Sequence, residues 1–348
     1  MEEQLWGAAL SGELEEVEKL ISDGADINYR GNSSTTPLTV ASYNGHTDVA
    51  QILLENEASI DLKDLRGMTA LSYAVLNGHQ DLALMLLKNG ASIDVKDVDG
   101  WTPLMIGLQI GHQDLAEMLM AKGASVDVKS YDNRTSLMFA ATSGLAQIAE
   151  RLIEAGVDIH ARTVEGCTAL ALAAQYGAED VMNLLIKNGA DINVRDNQGD
   201  TPLSAACEFG KTEIVKIILQ HHPLSVNTKD DVGNTPLIRA VTKNDEDTTK
   251  VLLEYKETNI FLSNDDNETA ISINKNIYRN HKKQSKKNLK KSFFLCFVVF
   301  FYIHSFVSNN IFIVGLEILR TGKMIFSLSL SSWRTRKKSR LLLTKDMI

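Results

Sequence analysis

An all-α repeat solenoid, made of stacked helix-turn-helix units with short β-turn connections, is the fold class this sequence predicts. Three periodic features carry that reading. Threonine-led pairs at Thr36-Pro37, Thr69-Ala70, Thr102-Pro103, Thr135-Ser136, Thr168-Ala169, Thr201-Pro202, Thr235-Pro236 and Thr269-Ala270 recur every 33 or 34 residues, and a leucine follows seven of the eight. Glycines at 12, 45, 78, 111, 144, 177 and 210 keep the same period. So do apolar doublets, from Leu53-Leu54 to Leu252-Leu253. A unit of that size cannot bury its own apolar face, so its neighbours must cover it.

Each element has a local reason. The threonine side chain caps the first helix, and proline at the next position loses nothing, because the N–H it lacks has no partner in a first turn. Small residues at Ala41, Ala74, Gly107, Ala140, Ala173, Ala206 and Ala240 let that helix pack closely. The following glycine ends it in a left-handed conformation, with Asn244 in that role in the seventh full unit. The second helix carries its apolar residues at spacings of three and four, one buried stripe centred on the doublet. Gly90, Gly123, Gly156 and Gly189 stop it, and stretches such as Asp191-Ile192-Asn193 lead into a β-turn. Glu57 and His221-His222-Pro223 break the pattern, so the stack is expected to be loosest there.

Lys96-Asp97-Val98-Asp99-Gly100-Trp101-Thr102-Pro103-Leu104 and Asn188-Gly189-Ala190-Asp191-Ile192-Asn193 resemble the two signature stretches of the ankyrin repeat family. The resemblance implies a capping unit at 1–30, seven repeats at 31–263 and a degenerate half repeat at 264–274. One departure recurs: the family's histidine after Thr-Pro-Leu is replaced by Thr39, Ser72, Met105, Met138, Ala171, Ser204 and Ile238. That puts the usual bridge between turn and helix in doubt, while threonine capping should survive. By resemblance the protein is a non-enzymatic scaffold or adaptor that binds a protein through its concave face, without cofactor or metal. The fold alone does not name the partner.

No G-x-x-x-x-G-K, G-x-S-x-G or H-E-x-x-H stretch occurs, nor a set of kinase signatures. His46, His79 and His112 recur each period, but stacked helices lie about 8–10 Å apart, too far for one zinc with bonds of about 2 Å. Asp97-Val98-Asp99-Gly100 opens like a calcium loop and lacks the later ligands and closing glutamate. Cys167, Cys207 and Cys296 form no C-x-x-C pair, which fits a reducing compartment. The acidic N-terminus reads as no secretory signal, so the protein is expected in the cytoplasm and the acceptor triplets at Asn32, Asn133 and Asn267 idle.

Two surface features stand out. Arg30, Lys63, Lys96, Lys129, Arg162, Arg195 and Lys229 form a basic ladder, either a rail for an acidic partner or a set of pairs with turn acids such as Asp64, Asp97, Asp196 and Asp230. The resemblance also puts Tyr43, Met68, Leu76, Trp101, Ile110, Tyr131, Tyr176 and Phe209 on the concave face, where packing does not demand bulky side chains. An apolar stripe over five or six units suits protein binding. Trp101 is its expected centre, flanked by Met68, Arg134 and Ile110, and it has no evident role in the core.

The chain has 348 residues, 44% of them hydrophobic and 23% charged, as in soluble globular proteins. Its net charge of −8 hides a split. Residues 1–274 hold 20 Lys/Arg against 42 Asp/Glu, a balance of −22, which argues against nucleic acid as the partner. Residues 275–348 hold 16 basic residues against Glu317 and Asp346, a balance of +14. After Ala270 there is neither alanine nor proline, and eight of eleven phenylalanines fall in the last 56 residues. Three readings of this tail compete. Residues 293–314 make a marginal membrane span, acceptable only with His304, Asn309 and Asn310 inside it, which would tether the protein facing the cytoplasm. Residues 282–291 resemble a nuclear import signal, and the composition resembles translated A/T-rich noncoding sequence.

Overall fold

The structure is a computed structural model, and it describes residues 1–221, 223–284, 311–318, 324–330 and 340–341. Helix pairs run along the chain: α1 (Glu2–Ser11) and α2 (Leu14–Ser22), α3 (Pro37–Asn44) and α4 (Thr47–Glu55), α5 (Ala70–Leu76) and α6 (Gln80–Lys88), α7 (Pro103–Ile110) and α8 (Gln113–Ala121). The series continues with α9 (Ser136–Ser143) and α10 (Ala146–Glu154), α11 (Ala169–Tyr176) and α12 (Glu179–Lys187), α13 (Pro202–Glu208) and α14 (Thr212–Gln220), then α15 (Pro236–Thr242) and α16 (Glu246–Glu254). A last first-type helix, α17 (Ala270–Gln284), closes the stack. First helices of successive units pack on one another far more extensively than second helices do, so the stack curves with first helices on the inner side.

Threonine capping holds in every repeat. Thr36, Thr69, Thr102, Thr135, Thr168, Thr201 and Thr235 each accept the backbone N–H of the residue three positions on. At two of the three positions where a hydroxyl replaces the family's histidine, it restores the lost bridge: Thr39 and Ser204 accept the backbone N–H of their own cap threonine at 2.6 and 2.7 Å, while Ser72 meets only the Thr69 hydroxyl, at 3.2 Å.

In the first two units the glycine that ends the first helix answers two demands. Gly12 and Gly45 have φ of 77° and 79°, and a Cβ there would sit 2.6 and 2.7 Å from the imidazoles of His46 and His79 in the next unit. Those histidines open the second helices, and their Nε2 atoms lie 3.2 and 3.1 Å from the carbonyl oxygens of Leu10 and Tyr43 in the preceding unit. His112 repeats the contact on Leu76 at 3.3 Å. The histidine period is therefore a seam between units.

The apolar doublet is only half buried as a rule. Leu53, Leu86, Leu119, Leu152 and Leu185 are fully enclosed, while Leu54, Leu87, Met120, Ile153 and Ile186 are partly covered at the edge of the core. Both members are buried only in the last two pairs, Ile218-Leu219 and Leu252-Leu253.

Helix α17 overruns the boundary drawn after residue 274 by ten residues. Thr269 starts it, accepting the N–H of Ser272 at 3.2 Å. The position that holds a terminating glycine in other units is here Tyr278, so nothing stops the helix. Ile277, beyond the boundary, packs against the core.

In the tail, β1 (Ile311–Ile318), β2 (Met324–Leu330) and β3 (Arg340–Leu341) form an antiparallel sheet in that order, with a register shift between Ile313 and Gly315. The segment considered as a membrane span overlaps β1 at 311–314, and its remainder, like the basic run from 285 to 291, lies outside the described residues. Among the described residues no helix is long and apolar enough to cross a membrane.

Glu57 marks the weak point in the fourth helix's exit. It adopts φ 66° where later units place Gly90, Gly123, Gly156 and Gly189 at 82–90°, and three of those glycines, like Glu57, sit directly after an Asn or Lys that closes the helix. Nothing lies within 4 Å of a Cβ added at those glycines, so the backbone conformation alone calls for glycine. Glu57→Gly is therefore expected to stabilise the protein by about 1 kcal/mol and raise the melting temperature by about 2–4 °C in calorimetry. An unchanged or lower melting point would count against strain at this residue.

Candidate protein-binding surface

The exposed surface on the inner side of the curve comes from two places in each unit. One is the C-terminal end of the first helix, because its preceding residues are buried against neighbouring units. The other is the tip of the β-turn that precedes the cap threonine. Tyr43, Ile110, Tyr176 and Phe209 lie at the helix ends, each about half exposed, and Tyr131 lies at a turn tip, 67% exposed.

Three of the bulky residues singled out from the sequence sit differently. Met68 is 3% exposed and belongs to the core, so it contributes nothing to an open surface. Its N–H is held by the Asp64 carboxylate at 2.8 Å, which fixes the strand just before the cap. Leu76 is partly buried against the core. Trp101 also packs there, edge-on to the buried Phe139 of the next unit, with ring centroids 4.8 Å apart and planes at 73°. The Arg134 guanidinium lies 6.0 Å from the same ring. The expectation that Trp101 lacks a core role is thus overturned: the residue before the cap reaches across to the first helix of the following unit.

A second row escaped the sequence reading apart from Tyr131. Leu65, Val98 and Val164 occupy the equivalent turn tips and are 72%, 58% and 51% exposed. Backbone bonds hold the tips in line: the N–H groups of Val98, Tyr131 and Val164 donate to the carbonyls of Arg66, Asp99 and Asp132, each at 3.0 Å. The signal was present as an apolar residue four positions before each of four consecutive cap threonines, visible only when the units are superposed.

Most of the basic ladder reaches backbone carbonyls instead of turn acids, and Arg195 alone among the described pairs also reaches a turn acid, Asp231 at 3.9 Å. Arg30, Lys63 and Lys96 donate to the backbone carbonyls of Lys63, Lys96 and Lys129 at 2.9, 2.8 and 2.7 Å, and Arg195 donates to Lys229 at 2.9 Å. Arg162 makes the same bond to Arg195. These five of the seven cations thus stitch their units to the next, a positioning role compatible with an exposed charge. Lys96 also places its ammonium 5.6 Å from the Tyr131 ring centroid.

Toward the C-terminal end the inner side turns polar. The first-helix position held by Val40, Tyr73, Ile106, Phe139 and Leu172 becomes Arg239 in α15. Its guanidinium meets Asp230 at 2.6 Å, Asp200 at 2.7 Å and Glu208 at 3.4 Å, and Lys243 closes on Glu208 at 2.6 Å. Burial raises the Asp200 carboxyl above its usual range, against the pull of Arg239. Burial alone would lower Arg239, and the surrounding carboxylates reverse that and raise it. A cleft of about 230 Å³ beside this cluster is lined by Glu208, Asn234, Arg239 and Thr242. A second, of about 330 Å³, lies between Tyr176 and Lys211. Both are open and polar-lined, unlike the enclosed apolar pockets that hold small molecules.

The two described thiols are poor nucleophiles. Burial, then the nearby Asp196, pushes Cys167 up to about 11, and complete burial raises Cys207. Tyr73 is raised likewise, first by burial and then by its 2.5 Å hydrogen bond to Asp64. Among the described residues no three His, Cys, Asp or Glu side chains come together as metal ligands.

A family model described as ankyrin repeats (three copies) matches residues 5–97, 89–163, 126–196 and 170–264. No curated protein matches the chain.

Two outcomes are expected. Trp101→Ala should cost about 1–3 kcal/mol, seen as a lower denaturation midpoint, because it removes half-buried area and an aromatic pair; a variant as stable as the parent would contradict the packing on Phe139. In the native chain at pH 8, alkylation at Cys167 should run about two orders of magnitude slower than for a free thiol and accelerate as pH rises, with Cys207 protected. Mass mapping of the alkylated peptides reads both, and rapid labelling of Cys207 would refute its burial.

Proposed function

The chain belongs to the ankyrin repeat family, and from that premise we propose that it is a non-enzymatic scaffold or adaptor that holds a protein partner on the inner side of its curve. Ankyrin repeats are protein-interaction modules, and residues 5–264 are built of them. The observation that carries the reading is the row of large apolar side chains at first-helix ends, Tyr43, Ile110, Tyr176 and Phe209, about half exposed on a scaffold rigidified by stitches between units. Tyr43 also packs edge-on to the buried Tyr73 of the next unit, with ring centroids 5.6 Å apart, whereas packing does not require Ile110, Tyr176 and Phe209, and aromatic anchors of this kind dominate binding energetics. The binding surface also draws on Tyr131, and Trp101 and Leu76 support it from behind. The open polar clefts and neutral thiols favour binding over catalysis. The unpaired Cys167 and Cys207 suit a reducing compartment, and the cytoplasm is the proposed location.

The test is capture of partners from an extract of the source cells on the immobilised chain. The double variant Ile110→Ser, Tyr176→Ser alters only half-exposed side chains, so its melting temperature should stay within about 2 °C of the parent. Its recovery of the partner should fall at least about tenfold. Undiminished recovery by the folded variant would remove the helix-end row from the binding surface.

A further inference from the structure

The turn tips share one structural position in seven successive units, and their chemistry changes once along the stack. Leu65, Val98, Tyr131 and Val164 come first, then Asn197, Asp231 and Asp265, all exposed. The backbone rail is unbroken across the change: Asn197 N–H donates to Glu165 at 2.9 Å, Asp231 to Gln198 at 3.0 Å and Asp265 to Val232 at 3.2 Å. An apolar residue repeated four times at a solvent-facing tip costs solubility, and fold stability does not need it.

We propose that this rail is the docking line for an amphipathic helix of the partner, apolar along the stretch facing Leu65 to Val164 and basic along the stretch facing Asp231 and Asp265. The inference rests on the reading of the inner side as a protein-binding surface and names the partner's chemistry. Spacing allows a helix: units recur at about 8–10 Å and seven residues of α-helix rise about 10.5 Å, so at the upper end of that range one side chain per heptad stays near the tip of each successive unit. Charge supports the basic end. The acidic tips Asp265 and Asp266 are exposed, as is Asp231, whose carboxylate lies 3.9 Å from the Arg195 guanidinium, and residues 1–274 as a whole carry −22. The change from apolar to acidic also sets direction, so the partner helix lies one way along the rail.

The probe is a synthetic, dye-labelled helix of about seven heptads, with leucine once per heptad in the first four, glutamine in the fifth and lysine in the last two. Its binding to the full chain is read by fluorescence anisotropy. The expected result is saturable binding, weakened at least about tenfold by Val98→Ser with Tyr131→Ser, and made less sensitive to added salt by Asp231→Ser with Asp265→Ser. A peptide of the same sequence except that the lysines are replaced by glutamates should bind at least about tenfold more weakly. Circular dichroism checks that each variant remains folded. Absence of binding, or equal affinity for parent and tip variants, overturns the proposal. Dimerisation of the parent that is lost in the tip variants also overturns it, in favour of a second copy of the chain. If Ile110→Ser with Tyr176→Ser abolishes capture of the cellular partner while the peptide fails to bind, the scaffold reading stands and the helical, basic partner falls.

Discussion

A first helix of seven or eight residues cannot persist by itself in water, and the rest of this molecule follows from how that shortness is relieved. Each such helix is closed at one end by its cap threonine and at the other by a left-handed residue, so that nearly all its backbone groups are spoken for within a turn or two. Its sides are then covered by the first helices before and after it. Stability accordingly resides in the seams between units, and the seams are made three ways: buried leucines, imidazoles resting on the previous unit's carbonyls, and cations reaching the next unit's backbone. Because the first helices approach one another more closely than the second, the same packing that stabilises the stack also bends it and produces the inner surface.

Much of this was legible in the residues, for a physical reason. Capping, glycine termination and helical periodicity are local, so Thr102 and Gly111 mark the two ends of α7 without knowledge of anything distant. What was not legible depends on the partner across a seam. Trp101 and Arg134 stand at equivalent positions before their caps, and nothing local says that both converge on Phe139. Met68 reads as one more bulky residue in a turn, yet the Asp64 carboxylate holds its backbone so that the side chain enters the core. The ladder cations pair with carbonyl oxygens of the next rung, acceptors present at every residue and therefore invisible in a search for acids. The tip row was missed because a single exposed leucine or valine carries no information, whereas four at one structural position do.

The overrun of α17 obeys the same local logic in reverse. With Tyr278 where other units hold glycine, the helix continues until some other cause ends it, and it carries Ile277 onto the core beyond the last recognisable repeat residue. A boundary drawn from repeat grammar marks where the pattern stops, which differs from where the packing stops.

Arg239 shows what the seventh unit gives up. Six earlier units fill that first-helix position with apolar side chains, Ala205 the last of them, and an arginine there is tolerated only because Asp200, Asp230 and Glu208, from three different positions, surround it. Such a partly buried cluster contributes little net stability relative to apolar packing, since desolvating the charges offsets most of their attraction. Its persistence is better understood from the surface it makes. The C-terminal third of the inner side becomes polar while the tips above it become acidic, and the N-terminal two thirds stay apolar. In a molecule that extends by repetition, every unit offers the same geometry, so only such a chemical gradient can tell a bound segment which way to lie.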